Sequence, residues 1–128
     1  MAKDEHKLLN SALAKRGLSK AADLAKKVEA ILSSNNIEKA KPQIQELFLK
    51  ELEDYEYIVL GDKNGTAVVH SNPLREGMVF DNEVVLRSLR SSKPLAQLYP
   101  RATGELLIET SCPVFVGGSI YMVLDADR

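Results

Sequence analysis

This 128-residue chain has little of what usually marks a dedicated chemistry. It has no tryptophan, and only 5% of its residues are aromatic. With no arginine-rich run either, that excludes a stacking platform for single-stranded nucleic acid. The net charge of −1 and pI near 6.1 argue against nucleic acid as a partner. The single cysteine, Cys112, cannot close an internal disulfide and reads as a small core residue before Pro113. Two histidines and one cysteine leave too few ligands for a structural zinc site. No stretch approaches the ~20 apolar residues of a membrane span. The opening MAKDEHK is no secretory leader. Motifs of hydrolases, P-loops, zincins and dinucleotide folds are missing, so no enzyme is expected and no metal or cofactor is called for.

What the chain does have is 45% hydrophobic residues, enough for one core and one domain over residues 1–128. Residues 1–53 form its helical part. Leu9, Leu13, Leu24, Val28 and Ile31 recur at helical steps, with Ala12, Ala21 and Ala25 between them, which predicts a helix over residues 4–33. Gly17 interrupts it at a cost near 1 kcal/mol. A second helix is expected over 37–53, with Ile44, Leu47, Phe48 and Leu52 inward. Pro42 places its regular start near that residue. Its acidic end, Glu51, Glu53 and Asp54, runs against the helix dipole.

From Tyr55 the period becomes two, so 55–128 is the sheet part. Strands are expected at Tyr55–Leu60, Thr66–Ser71, Leu95–Tyr99, Glu105–Val116 and Ser119–Asp125. A short helix, Glu83–Arg90, is expected among them with Asp81 or Asn82 as cap. Asn64-Gly65 makes the first turn. Short joints imply antiparallel pairing. The fold class is therefore α+β: a long helix and a second helix on one face of a five-stranded antiparallel sheet.

The candidate site follows the first hairpin. Alternation puts Thr66, Val68 and His70 on one face, Ala67, Val69 and Ser71 on the other. His70, Ser71, Asn72 and Arg75 fall within six positions beside Pro73 and Gly77. An imidazole, a hydroxyl, a guanidinium and free N–H groups suit a carboxylate. The plainer reading is that Arg75 is solvated and His70 caps the loop through a backbone hydrogen bond. A second polar group, Tyr99, Arg101 and Thr103, ends one strand and begins a turn; it either folds over the site or is an ordinary hairpin tip. Arg87 and Arg90 make one side of the short helix basic. Glu105 and Glu109 read as a solvent-facing alternation, with Leu106, Ile108, Thr110 and Cys112 inward. His70 as an axial ligand of non-covalent haem is the alternative use of that residue.

The run YIVLGDKNGTAVVHSNP, followed by a glycine and a phenylalanine, a short helix, TGE and a Pro-Val strand, resembles the Cache (PDC) sensor domains. These have a PAS-like fold and occur in chemotaxis receptors and in citrate- and dicarboxylate-sensing kinases. The resemblance implies an extracytoplasmic sensor portion of a membrane receptor whose membrane helix lies outside this chain, although a cytoplasmic protein is the alternative. It implies a ligand between the sheet and the loop plus short helix, and a homodimer through the long helix. His70, Ser71 and Arg75 match the loop positions; Tyr99, Arg101 and Thr103 match the opposite strand edge. The remaining alternatives are a haem or gas sensor, a ligand-free dimerisation module, and a small hydrolase using Glu105 and Glu109 as an acid–base pair.

Overall fold

The computed structural model describes residues 11–53, 55–100 and 103–116, and the backbone of 119–127. Helix α1 spans Ala12–Ser34, capped by Ser11, whose Oγ accepts from the Ala14 N–H at 3.2 Å. Helix α2 spans Ile37–Glu51, capped by Asn36. Strand β1 is Tyr55–Asp62 and β2 is Ala67–His70. A 3-10 turn, Pro73–Arg75, and helix α3, Glu83–Arg90, follow. Strands β3 (Leu95–Pro100), β4 (Leu106–Val116) and β5 (Ser119–Asp127) complete the chain. The strands form one antiparallel sheet in the order β2-β1-β5-β4-β3.

Helix α1 begins on small residues. Ala14, Gly17 and Ala21 are buried first, then Leu24, Ala25, Val28 and Leu32. The small residues let the helix lie close to β4. A Cβ on Gly17 would stand 2.8 Å from Thr110 Cγ2. The glycine is thus a contact surface as well as a cost in helix propensity. The expected turns before Ser11 lie outside the described residues.

Helix α2 starts five residues before Pro42, contrary to the sequence expectation. Asn36 Oδ1 accepts from the Lys39 N–H at 3.0 Å, so the helix starts on a true cap. Pro42 then removes only one intrahelical hydrogen bond, early in the helix. The acidic end also has a partner. Glu51 pairs with Lys20 and, at 3.6 Å, with Lys27, so it ties α2 to α1. Those cations hold the Glu51 carboxyl below the usual carboxylate range, Lys20 most of all.

The sheet is covered on both faces, not one. Helices α1 and α2 bury Leu24, Val28, Ile44 and Phe48 against Ile58, Leu60, Val69 and Val114. On the other face α3 buries Val85 and Leu89 against Val59, Ala67 and Phe80. Helices on one face alone was therefore an incomplete expectation: α3 is amphipathic and needs an apolar surface of its own.

The first hairpin departs from strict alternation. Leu60 pairs with Val69 but Gly61 with Ala67, which leaves Val68 as an extra residue. This bulge turns Ala67 and His70 to the α3 face and Val69 to the α1 face. The expected grouping of Thr66, Val68 and His70 is corrected accordingly, because one inserted residue reverses every side chain beyond it. In the turn only Gly65 takes positive φ, at +88°, while Asp62 Oδ1 accepts from the N–H of Asn64 and of Thr66. The loop then returns along β2. Gly77 N–H donates to Ala67 O at 2.7 Å, and Ala67 N–H to Met78 O at 2.9 Å. The loop so covers part of an edge that would otherwise be open to a foreign strand.

Candidate functional site

The end of β2 places His70 and Ser71 where the chain leaves the sheet. Ser71 N–H donates to Ile58 O at 2.8 Å, and Ser71 Oγ accepts from the Ile58 N–H at 3.1 Å. Gln45 of α2 donates to Ser71 O. Asn72 caps the 3-10 turn, and its Oδ1 accepts from the Leu74 N–H. The turn sets Arg75 back beside His70. A hollow of about 260 Å³ results, lined by Leu52, Glu56, Tyr57, His70, Ser71, Asn72 and Arg75.

The His70 imidazole is 3% exposed. Its Nδ1 accepts from the Asn72 N–H at 2.9 Å, which leaves the ring proton of the neutral form on Nε2. Burial, and then the Arg75 charge, push its pKa down to about 4. The ring is therefore neutral at pH 7. It lies against Tyr57, with ring centroids 5.7 Å apart. Arg75 is exposed, and its guanidinium forms no ion pair or hydrogen bond among the described residues. The loop-capping contact of His70 and the solvated Arg75 are both features of the plainer reading. They coexist with a shared hollow. Its lining includes Glu56, Asn72 and Arg75, unlike the mainly apolar slot that suits a porphyrin.

Of the six residues singled out from the sequence, His70, Ser71 and Arg75 meet at this hollow. Tyr99 does not line it. Its side chain packs at the edge of the α3 cluster, and its hydroxyl accepts from Asn82 Nδ2 at 3.3 Å. Thr103 is exposed in the β3–β4 turn. Arg101 lies outside the described residues.

The group that sequence reasoning missed is buried beneath α3. Glu109 was expected to face solvent, yet it is 0% exposed. Both faces of β4 are covered at that level, so alternation along the strand does not separate inside from outside. Glu109 Oε2 accepts from the Tyr57 hydroxyl and Oε1 from the Ser88 hydroxyl, each at 2.7 Å. Gln97 Nε2 donates to Ser88 Oγ and to Val84 O, both at 2.7 Å. Arg87 donates to Gln97 Oε1 at 3.3 Å. Burial pushes the Glu109 carboxyl above the ordinary range, against the opposing pull of the two hydroxyls. Tyr57 joins the two regions: it lines the hollow and holds the carboxyl.

No protein-family model matches the chain, and no curated protein sequence matches it. Solved structures do. The sensor domain of E. coli DcuS is 20% identical; the match covers 84% of this chain and 90% of that one, with a TM-score of 0.52. The sensory domain of the Campylobacter jejuni chemoreceptor Tlp3 is 15% identical; the match covers 91% of this chain and 62% of that one, with a TM-score of 0.49. At such identities the DcuS likeness establishes a common fold. The arrangement of helices and sheet is the one found in that DcuS domain.

Proposed function

We propose that this chain is a ligand-sensing module that takes a small organic anion, a carboxylate, in the hollow beside β2. The observation that carries this reading is the meeting of His70, Ser71, Asn72 and Arg75 around one space of about 260 Å³. Arg75 offers a guanidinium uncommitted to any described acid, and guanidinium binds carboxylate bidentately. His70 presents a neutral Nε2–H donor, and Ser71 adds a hydroxyl donor. Glu56 borders the same space, so a second carboxylate on the ligand would meet a like charge. The proposal therefore favours a monocarboxylate over a dicarboxylate.

In this reading a bound anion favours one arrangement of the loop and the sheet edge. The signal passes on because affinity differs between two states. A second copy would dock through α1, and the module would serve as the sensing part of a receptor, extracytoplasmic in the family it resembles. Among the described residues no helix is long and apolar enough to cross a membrane.

Calorimetric titration of the whole chain with acetate, propionate, lactate and succinate tests the proposal. A monocarboxylate is expected to bind, and Arg75→Ala to weaken it at least tenfold. Binding that Arg75→Ala leaves within twofold would remove the hollow from consideration.

A further inference from the structure

The buried network under α3 is asymmetric in its donors. Gln97 has its Oε1 occupied by Arg87 and its Nε2 committed to Val84 O and Ser88 Oγ. The Ser88 hydroxyl, already accepting there, must give its proton to Glu109 Oε1. In the protonated form the Tyr57 bond therefore runs the other way: the carboxyl proton sits on Oε2 and is donated to the Tyr57 oxygen, 2.7 Å away. That carboxyl has no water-exposed surface, and no described cation forms an ion pair with it. A buried ionised carboxylate needs either a counter-charge or water. Helix α3 lies directly on this carboxyl, since Ser88 is one of its own residues and bonds to Oε1. Helix α3 has eight residues, and only Val85, Ser88 and Leu89 are buried.

We infer that Glu109 is a proton-controlled latch for helix α3, which holds the helix against the sheet while protonated and loosens it when ionised. Among the described residues the groups around it are few. Tyr57 faces it from β1, with His70 of β2 behind the Tyr57 ring. Ser88 and, through Gln97, Arg87 face it from α3. Gln97 faces it from β3, and Ser111, farther along β4, is turned to Leu95 O. On β5 its register partner is Ala126; Asp125 and Asp127 pair with Thr110 and Ile108 of the alternate row. Tyr57, Ala126 and Glu109 thus form one row across three strands.

The sign follows from linkage. A carboxyl whose closed-state pKa is raised binds more protons when closed than when open. Opening of α3 then becomes easier as pH rises above about 4.5, by up to tenfold per pH unit, and levels off above the closed-state value. His70 acts in the opposite sense, since its buried neutral form is lost on acidification.

Amide exchange of the whole chain, followed by mass spectrometry from pH 5 to 8 and corrected for the intrinsic rate, tests the latch. In the wild type, residues 83–90 are expected to open more as pH rises, while α1 holds steady. Glu109→Gln should abolish that slope. If Glu109→Gln does not fold, Ser88→Ala decides, because losing a donor should extend the slope to higher pH. A wild-type α3 whose opening does not rise with pH, an unchanged slope in Glu109→Gln, or an unchanged window in Ser88→Ala would each overturn the inference.

Discussion

The two faces of the sheet are built on different principles. The α1–α2 face is a mainly apolar core, in which Phe48, Leu24, Ile44, Ile58, Leu60 and Val28 are fully buried in one cluster. The α3 face has a smaller apolar cluster around Val59, Val85 and Leu89, and beside it the buried Glu109, Ser88 and Gln97. Apolar packing is non-directional and independent of pH. A buried hydrogen-bonded network is directional and tied to protonation state. The first face therefore carries stability. The second is where the proposed latch would let the fold change, in keeping with the rule that moving elements come from the less stable parts of a fold.

The comparison breaks most sharply at Phe48. Phe48→Ala should cost about 3–5 kcal/mol of global stability, because the ring is surrounded on all sides. Denaturant unfolding measures it. Leu89→Ala on the other face should cost less globally and show mainly as faster exchange within α3. Equal global losses from the two would mean that the faces are energetically alike.

Next in size is the pH response of His70. With the folded pKa at about 4 against an ordinary 6.5, the unfolded chain binds the proton first on acidification. Stability contributed by the neutral ring is complete above pH 6.5 and declines as pH falls towards 4, by roughly 3 kcal/mol in all. Urea titrations at stepped pH should show this decline, and His70→Gln should remove it. A wild-type decline that survives in His70→Gln would assign it to another group.

The smallest expected effect belongs to Gly17→Ala. Helix propensity favours alanine by about 1 kcal/mol. The new Cβ, however, would press on Thr110 at 2.8 Å, and overpacking costs about 1–3 kcal/mol. A net loss of about 1 kcal/mol in denaturant unfolding is expected. A gain would mean that α1 moves off β4 without penalty.

Much of the order of elements was legible because it is local. The Ser33–Asn36 break, the Asn-Gly turn and the switch to a period of two at Tyr55 are each written within a few residues. The loop cluster was legible for the same reason, since His70, Ser71 and Arg75 are neighbours in sequence and meet at one hollow. Pro42 misled because a proline six residues past a strong Asn cap is tolerated, and the cap decides the start. Tyr99 and Thr103 were placed by analogy of position, and no local pattern says which way a strand end turns.

Glu109 shows where such reading ends. Its neighbours in sequence make it look like the outer half of an alternating strand. Its true partners, Tyr57 and Ser88, are 52 and 21 residues away. Periodicity, caps and turns belong to the sequence because they arise between adjacent residues. Which face of a strand is wet, whether a bulge reverses it, and whether a carboxyl keeps its proton depend on what packs above the sheet. Those were decided only when α3 closed over β4, where removal from water sets the energy of every polar group.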